Sequence, residues 1–421
     1  MASGGQLTNT GGMPPTTTTA GATTGGAPTT GGMKATGGAA NIAGTNSAGG
    51  TLASGGTHAL GGTSSATGGT REIGGSSSAT GGTKATGGTV SGGSPAMGGA
   101  PITGGSAALG GSTAAGGSVQ GAASFHCVNW ADPRDNFVNG LLELSGLSSA
   151  TDSYSTVQQK SSAILSEFQS KLSANAIRIP INEPTVSGTW WNAYKAVIDT
   201  AVSKGMKVVV AYWAYHNGMP DNATAFKNMW QVVVSAYQSN SLVYFDIHNE
   251  PYGYGTSWNA TAAQWLTDFP SVPKGRVIIS GTGYDDDVKP VGSDSRFNGC
   301  LLELHIYGFW HETWTTQSQW STSMTSALGT YSARTIVGEW GAPMTDGSDY
   351  NNTNTSGDAF RSYVRAVSDV MHNSGMGSCY WPGLRNGDSY SMTTLGGSGN
   401  APTLSVTNQS GLERLHWAWG I

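Results

Sequence analysis

The first 121 residues contain no phenylalanine, tryptophan or tyrosine, whereas residues 122–421 contain all 38 aromatic residues of the chain. The same segment carries only four charged side chains and 37 of the 64 glycines. Without large apolar side chains, a segment cannot offset the entropy cost of ordering its backbone, and glycine raises that cost further. We therefore predict that residues 1–121 are a disordered, low-complexity linker and that residues 122–421 form one folded domain.

Short glycine repeats in this segment support the prediction of a linker. The pentapeptide Ala-Thr-Gly-Gly-Thr occurs at 66–70, 79–83 and 85–89. Such a short period cannot form a solenoid repeat, which needs about 20 residues or more. Flexible glycine-rich linkers hold a catalytic or binding domain away from a surface or from another module, which suggests export.

The chain also lacks membrane and targeting segments. No run of 18 apolar residues is present, so the sequence predicts no membrane span. The start Met-Ala-Ser-Gly-Gly has neither the charged residues nor the apolar stretch of a secretory signal. Because the linker suggests export, we expect an extracellular or cell-surface protein whose signal peptide lies upstream of this start.

Basic residues and cysteines are both scarce. Residues 122–421 contain 17 basic and 24 acidic side chains, a formal charge of −7, and no basic run, which argues against a nucleic-acid partner. The three cysteines, Cys127, Cys300 and Cys379, cannot all pair, and each lies in an apolar, strand-like segment. We interpret them as buried thiols, with a Cys127–Cys379 disulfide as the main alternative.

Short apolar segments alternate with helical patterns from residue 122 onward. Eight segments rich in β-branched side chains predict strands, namely Phe125–Asn129, Ala176–Ile181, Lys207–Trp213, Val243–Asn249, Arg276–Ser280, Cys300–Tyr307, Thr335–Glu339 and Met376–Trp381. The clearest helical patterns between them are Thr156–Leu172, Trp190–Ser203, Thr224–Ser239, Gln317–Tyr331 and Asp358–His372. This alternation predicts an α/β fold, a single closed (β/α)8 TIM barrel. An open, doubly wound sheet is the alternative, although no glycine-rich phosphate loop follows the first strand.

Two glutamates stand at the ends of predicted strands. Glu250 comes directly after Val243–Asn249, and Glu339 ends Thr335–Glu339. The carboxyl ends of barrel strands meet at one face, so both carboxylates should reach a shared cleft. Two carboxylates in one cleft are the groups that hydrolyse a glycosidic bond, one protonating the leaving oxygen and the other attacking or activating water. The alternative is that each glutamate caps a helix or pairs with an arginine.

The residues around these glutamates resemble glycoside hydrolase family 5, the cellulase-type family of clan A. The resemblance rests on Asn-Glu-Pro at 249–251, after one strand, and on Glu-Trp-Gly at 339–341, at the end of a later strand. It covers residues 123–421 and none of the linker. It implies that Glu250 is the catalytic acid/base and Glu339 the nucleophile of a retaining β-glycosidase that acts on a polysaccharide or oligosaccharide.

Further strand-end positions match the substrate-binding residues of the family. The resemblance implies this role for Arg178, Asn249, His305, Tyr307 and Trp381. We add Asn129, which ends the first predicted strand. From the residues alone, Arg178 lies among apolar neighbours and should pair with a carboxylate, for which we expect Glu339. Tyr307 can donate to Glu339 and Trp381 offers a flat face to a sugar ring, although each of these residues could instead be purely structural.

One position departs from the family. Many members have a histidine at the end of the third strand, where this chain has Trp213, with His216 three residues later. Either His216 substitutes for that histidine or the sugar site has a different shape, and we take both residues as candidates for substrate binding. We expect a monomeric, cellulase-like endo-β-glucanase without cofactor or metal. The alternatives are an exo-acting glycosidase, a mannan- or xylan-type hydrolase, a non-catalytic carbohydrate-binding barrel, and a barrel of another family that uses a metal or a small molecule.

Two further features of the sequence could serve a site. The aspartate run at 285–287 could bind a cation, but because no second ligand cluster is visible we interpret it as a solvated loop. Six tryptophans lie in predicted loops, where some should stack on sugars and the rest pack in the core, namely Trp130, Trp190, Trp191, Trp258, Trp310 and Trp314.

Overall fold

Eight parallel strands form a closed barrel in the part of the chain that the computed structural model describes, residues 121–421 apart from Asp135 and Ser148. The strands follow one another around the barrel in sequence order: β1 (His126–Trp130), β2 (Ala176–Ile181), β3 (Lys207–Tyr212), β4 (Val243–Asp246), β5 (Val277–Ser280), β6 (Leu301–His305), β7 (Thr335–Trp340) and β8 (Ser378–Leu384). The predicted (β/α)8 barrel is therefore confirmed. The predicted linker lies outside the described residues except for its last residue, Gly121, and remains a prediction.

Helices alternate with these strands along the described chain. They are α1 (Tyr154–Leu172), α2 (Glu183–Ser187), α3 (Trp191–Tyr194), α4 (Ala196–Ser203), α5 (Ala223–Tyr237), α6 (Trp258–Asp268), α7 (Lys289–Gly292), α8 (Gln317–Leu328), α9 (Ala359–Ser374) and α10 (Gln409–Trp419). The helix predicted over Trp190–Ser203 is divided at Lys195 into α3 and α4. None of the described helices has the length and apolar character needed to cross a bilayer.

Helix α9 shows how local chemistry sets the bounds of an element. The Asp358 side chain accepts a hydrogen bond from the backbone N–H of Arg361 at 2.8 Å, which caps the N-terminus. Gly375 ends the helix in the left-handed region with a φ of 60°, where glycine carries no steric penalty. Tyr363 and Val367 lie on the buried face, as the apolar periodicity predicts.

A disulfide joins the first and last strands of the barrel. Cys127 on β1 and Cys379 on β8 are register partners with Cα atoms 4.1 Å apart, and their sulfurs are bonded. The interpretation of all three cysteines as thiols is therefore wrong for this pair and right for Cys300, which is buried and free. The pair lies in an apolar layer inside the barrel that also contains Val209 and Ile336. Closure of the barrel brings together two cysteines that are 252 positions apart and so allows this bond to form.

A hairpin that the sequence did not predict follows β8. Strands β9 (Thr393–Ser398) and β10 (Ala401–Val406) pair antiparallel. The hairpin docks on α1 through Leu404, whose side chain is buried and whose N–H donates to Glu167 at 3.1 Å. Lys171 on the same helix donates to the Leu404 carbonyl. The hairpin is thus held by the outer surface of α1 and takes no part in the barrel sheet.

Candidate active site

The carboxyl ends of the strands bring nine of the ten predicted site residues to one end of the barrel. All nine are buried, with no residue more than 2% exposed: Asn129, Arg178, Trp213, Asn249, Glu250, His305, Tyr307, Glu339 and Trp381. Side chains that alternate along a strand point to opposite faces, so residues at the strand ends can converge on the barrel axis.

Arg178 on β2 is the centre of the polar network. Its Nη1 donates to Glu339 Oε1 at 2.7 Å, and its Nη2 donates to Asp246 Oδ2 at 2.7 Å and to Asn249 Oδ1 at 2.8 Å. Its Nε lies 3.0 Å from both Asp246 Oδ2 and Glu303 Oε1. The guanidinium is 1% exposed, so these contacts replace the water that a buried cation loses. The expected pairing with Glu339 is present, together with two carboxyl partners that the sequence did not reveal.

Asn129 on β1 serves the protein scaffold. Its Oδ1 accepts a hydrogen bond from Arg178 Nη1 at 3.2 Å. Its Nδ2 donates to the Gly338 carbonyl at 2.9 Å and to two carbonyls of β8. Because both ends of the amide are engaged, Asn129 positions Arg178 and joins β7 to β8.

Glu339 on β7 has partners on both carboxylate oxygens. Oε1 accepts from Arg178, and Oε2 accepts from the Tyr307 hydroxyl at 2.7 Å. His305 Nδ1 is 3.8 Å from Oε2. Burial raises the pKa of Glu339 above its ordinary value, while His305, Arg178 and the Tyr307 hydroxyl oppose that rise. These three donors favour the ionised carboxylate.

Glu250 lies just beyond β4, which ends at Asp246 rather than at the predicted Asn249. The chain leaves the strand here, and Glu250 adopts a left-handed φ of 49°. Its backbone N–H donates to Asp285 Oδ2 at 3.1 Å, and its Oε1 lies 3.2 Å from His305 Nδ1. Carboxylate oxygens of Glu250 and Glu339 lie within 4.8 Å of each other.

His305, at the end of β6, is enclosed by acidic groups. Its Nδ1 faces Glu250, while its Nε2 lies 3.3 Å from Glu303 Oε1 and 3.4 Å from Asp285 Oδ2. Burial lowers the pKa of His305, but the surrounding carboxylates, Glu339 and Asp285 foremost, raise it well above its ordinary value. Carboxyl groups at both ring nitrogens therefore favour the protonated ring, which donates from Nδ1 and from Nε2.

Asp246 and Glu303 form a second buried carboxyl pair around Arg178. Burial and the charge of Glu303 raise the pKa of Asp246 well above its ordinary value. At Glu303 burial acts in the same direction, but Arg178 and His305 outweigh it and lower the pKa. The pKa values of this pair are thus shifted in opposite directions, that of Asp246 upward and that of Glu303 downward.

Aromatic rings form one side of the site. Trp213, directly after β3, stacks on Trp381 with ring centroids 5.4 Å apart and an interplanar angle of 24°. Phe137 packs edge-on against Trp213 at 4.5 Å. Among the described residues, Trp381 Nε1 and Asn249 Nδ2 are buried N–H donors without a hydrogen-bond partner. Such donors are costly unless a ligand satisfies them.

His216 does not join this network through any described contact. Its Nδ1 lies 3.3 Å from Asp221, and its ring contacts Tyr215 on the same loop. The expectation that His216 replaces the family's third-strand histidine therefore finds no support, and Trp213 occupies that strand end. The side chain is partly exposed, because the loop turns away after Trp213.

Three acidic site residues escaped the sequence analysis. Asp285 is fully buried against His305, so the interpretation of the 285–287 run as a solvated loop is wrong for this residue. Asp246 and Glu303 lie within apolar strands. The spacing between Glu303 and His305 is the signal that could have revealed Glu303. It precedes His305 by two residues and therefore lies on the same face of β6.

Four of the six loop tryptophans are core residues, buried to 7% exposure or less: Trp130, Trp190, Trp191 and Trp258. Trp310 and Trp314 are partly exposed. These two, on the segment after β6, remain the candidates for contact with a sugar.

In the part of the chain that the structure describes, two sets of residues have ligand atoms close enough for a metal ion, namely Glu250, His305 and Glu339, and Asp285, Glu303 and His305. Both sets depend on His305. An imidazolium has no lone pair for a metal, and the same carboxylates already accept from Arg178, Tyr307 and His305. The arrangement favours proton transfer.

Comparison with known proteins gives the family. A model of the cellulase family, glycosyl hydrolase family 5, matches residues 138–385. A search of curated proteins gave no match. Among solved structures, the catalytic domain of the major endoglucanase from Xanthomonas campestris pv. campestris is similar, with a TM-score of 0.53 and 15% identity over 70% of this chain and 95% of that one.

A second solved structure supports the same fold. An endocellulase from Pyrococcus horikoshii in complex with cellotetraose has a TM-score of 0.53 and 14% identity, over 70% of this chain and 92% of that one. At such identities the likeness shows the fold alone. The family model, by contrast, covers more than half of the chain and spans both glutamates. The protein belongs to glycoside hydrolase family 5 and is a glycoside hydrolase.

Proposed function

We propose that the protein is a retaining endo-β-glucanase of the cellulase type, which hydrolyses a polysaccharide by double displacement with Glu339 as nucleophile and Glu250 as acid/base. The observation that carries the proposal is the approach of the two carboxylates to within 4.8 Å. Retaining pairs are about 5–5.5 Å apart, whereas inverting pairs are roughly 6.5–9.5 Å apart to admit a water molecule.

The surroundings of Glu339 suit a nucleophile. A carboxylate must be ionised to attack the anomeric carbon, and Arg178 and Tyr307 both donate to it. Attack by one oxygen gives a covalent glycosyl-enzyme and breaks the bond to the leaving sugar. The Tyr307 hydroxyl also holds the carboxylate plane in one orientation, which reduces the entropy cost of reaching the transition state.

The surroundings of Glu250 suit a residue that gives and then takes a proton. In the first step its carboxyl group protonates the departing glycosidic oxygen, and in the second step its carboxylate removes a proton from water. His305 Nδ1 lies 3.2 Å from Oε1, where it can hold the carboxyl group in position for this exchange. The left-handed backbone at Glu250 is held by the Asp285 carboxylate.

The remaining residues favour a sugar chain as substrate. The stacked faces of Trp213 and Trp381 suit pyranose rings, and the unpaired N–H groups of Asn249 and Trp381 suit sugar hydroxyls. Asn249 Nδ2 is assigned to the 2-hydroxyl, a contact that strengthens in the transition state. The similar structures are described as an endoglucanase and an endocellulase, which favours β-glucan over mannan or xylan.

We further propose that the protein works outside the cell or at its surface, as a monomer on a glycine-rich linker. The Cys127–Cys379 disulfide supports this location, because such bonds persist mainly in oxidising compartments. The low basic content argues against nucleic acid as a partner.

The purified protein should be assayed on soluble β-glucan, mannan, xylan and aryl glycosides. We expect hydrolysis of β-glucan, with viscosity falling faster than reducing ends appear, which is the mark of endo action. NMR of the first-formed product should show the β-anomer. Glu339→Gln should abolish this hydrolysis. Glu413→Gln, at an exposed helix glutamate, is the matched control. An α-anomer would refute retention, and equal rates on xylan or mannan would refute the substrate assignment.

A further inference from the structure

The carboxylate of Glu303 lies inside the barrel, on the Nε2 side of the His305 ring. Glu303 and His305 are two residues apart on β6, and Glu303 Oε1 lies 3.3 Å from His305 Nε2. A Cβ at position 338 would stand 1.6 Å from that oxygen, so only glycine at 338 leaves room for the carboxylate. The register between β6 and β7 passes from Val337 to Glu339 and so skips Gly338.

Asp285 reaches the same ring nitrogen from the loop after β5. Its Oδ2 lies 3.4 Å from His305 Nε2 and also accepts the backbone N–H of Glu250. Asp285 and Glu303 are fully buried, and Asp285 Oδ1 and Glu303 Oε2 have no hydrogen-bond partner in the described part of the chain. Burying acidic groups with free acceptors is costly, so their position behind the ring requires an explanation.

We propose that Glu303, assisted by Asp285, is a positioning residue that acts through His305 on the acid/base Glu250. The two carboxyl groups hold the Nε2 proton of the ring, which turns Nδ1–H towards Glu250 Oε1. The proposal rests on the proposed role of Glu250 as acid/base.

Through His305, Glu303 and Asp285 affect the proton that Glu250 must deliver to the substrate. A neutral His305 with a bare Nδ1 would accept that proton and compete with the glycosidic oxygen. An imidazolium anchored at Nε2 can only donate to Glu250 Oε1, so it cannot take up the proton that Glu250 delivers. Glu303 and Asp285 thus prevent His305 from accepting the proton of Glu250.

Four acidic side chains contact His305, and the charge of a fifth, Asp286 on the loop after β5, also acts on the ring. Glu250, from the segment after β4, and Glu339, on β7, face Nδ1, while Asp285 and Glu303 face Nε2. The Tyr307 hydroxyl is directed to Glu339. Arg178 and Asp246 both contact Glu303, and neither has a described contact with the ring.

The geometry provides a matched pair of variants. Glu303→Gln removes a charge that faces both His305 and Arg178. Asp246→Asn changes contacts of Arg178, Ser280 and Glu303 but none of His305, and the asparagine can still donate to Glu303. Asp285→Asn removes the second carboxyl group that faces Nε2 and leaves the hydrogen bonds and ion pairs of Arg178 untouched.

The test follows the His305 ring by NMR of the full chain with isotopically labelled histidine, assigned with His305→Gln. Both ring nitrogens should be protonated at pH 7 in the wild type. The titration midpoint should fall by roughly one to three pH units in Glu303→Gln, in line with the loss of a neighbouring opposite charge, and stay unchanged in Asp246→Asn. Should Glu303→Gln not fold, Asp285→Asn must show a fall. A neutral ring in the wild type, no fall, or equal falls in Glu303→Gln and Asp246→Asn would overturn the proposal.

Kinetics separate this proposal from the proposed function. In Glu303→Gln the alkaline limb of kcat/KM should move to lower pH, and cleavage of β-glucan should lose more than cleavage of a dinitrophenyl glycoside, which needs no proton. If the wild type hydrolyses no glycoside, the proposed function fails while the NMR titration still decides the position and charge of His305.

Discussion

Arg178 Nη1 donates to Glu339 Oε1 at 2.7 Å, and the remaining N–H groups of the same guanidinium are taken by Asp246, Glu303, Asn249 and Asn129. One cation on β2 therefore fixes side chains from β1, β4, β6 and β7. The buried guanidinium therefore affects both the ionisation of Glu339 and the stability of this end of the barrel.

Arg178→Ala should therefore damage both activity and stability. Its removal leaves Glu303 and Glu339 without their main cation, which raises the pKa of Glu339 and weakens it as a nucleophile. We expect kcat/KM to fall at least about 100-fold and the free energy of unfolding to fall by about 3–5 kcal/mol. Lys204→Ala, at the end of α4, is the control for loss of a cation. Similar, small effects of the two substitutions in activity assays and denaturant titrations would contradict the pairing.

Glu339→Gln and Glu250→Ala should fail in different ways. Without the nucleophile, turnover of every substrate should stop whatever its leaving group. Without the acid/base, natural glucan should be cleaved very slowly, whereas formation of the glycosyl-enzyme from a dinitrophenyl glycoside should be spared.

Azide distinguishes the two variants further. It needs no general base, so it should restore turnover of the dinitrophenyl substrate by Glu250→Ala and give a β-glycosyl azide. No rescue should occur with Glu339→Gln. An α-glycosyl azide from either variant would contradict the assignment of Glu339 as nucleophile.

Tyr307→Phe should shift the acid limb of the pH profile. The hydroxyl donates to Glu339 Oε2 and lowers the pKa of that carboxyl, so its loss raises the pKa. Because the nucleophile must be ionised, the acid limb of kcat/KM should move to higher pH by on the order of one pH unit, the value of one hydrogen bond. Tyr212→Phe is the control, since its hydroxyl donates to Glu183 at 2.8 Å. A limb at the wild-type position would show that Tyr307 does not tune Glu339.

The disulfide should be detectable by thiol counting and by melting. Under denaturing conditions one thiol, that of Cys300, should react before reduction, and three should react afterwards. Cys127→Ala combined with Cys379→Ala should lower the free energy of unfolding by roughly 2–5 kcal/mol, because the open chain gains entropy when unfolded. Cys300→Ala should leave no reactive thiol without reduction. Three reactive thiols in the untreated protein would refute the bond.

The barrel could be predicted because each strand carries its own local signal. Ala176–Ile181 was predicted with its observed bounds, since alanine, isoleucine and proline there form a compact apolar run between polar segments. Arg178 stood out as the cation within that run. By contrast, β4 was predicted three residues too long, because the turn that starts after Asp246 depends on the Asp285 contact from another loop.

Long-range proximity accounts for what the sequence could not reveal. Asp285 belongs to an acidic run whose sequence predicts a solvated loop. In the structure, barrel closure places Asp285 against His305. Two carboxyl partners of Arg178, Asp246 and Glu339, lie 68 and 161 residues away, and only Glu339, at the end of a predicted strand, could be recognised from the sequence. The hairpin Thr393–Val406 has weak apolar alternation, and its docking on α1 supplies the missing burial.

The bond between the first and last barrel strands makes the polypeptide from Cys127 to Cys379 a covalent ring. A single cut by a protease anywhere within that ring opens it without releasing a fragment. All eight strands then remain on one covalently connected molecule, because β1 and β8 are tied at their register partners. An enzyme exposed to proteases outside the cell would in this way tolerate a nicked loop, and such a nick would appear on a gel only after reduction.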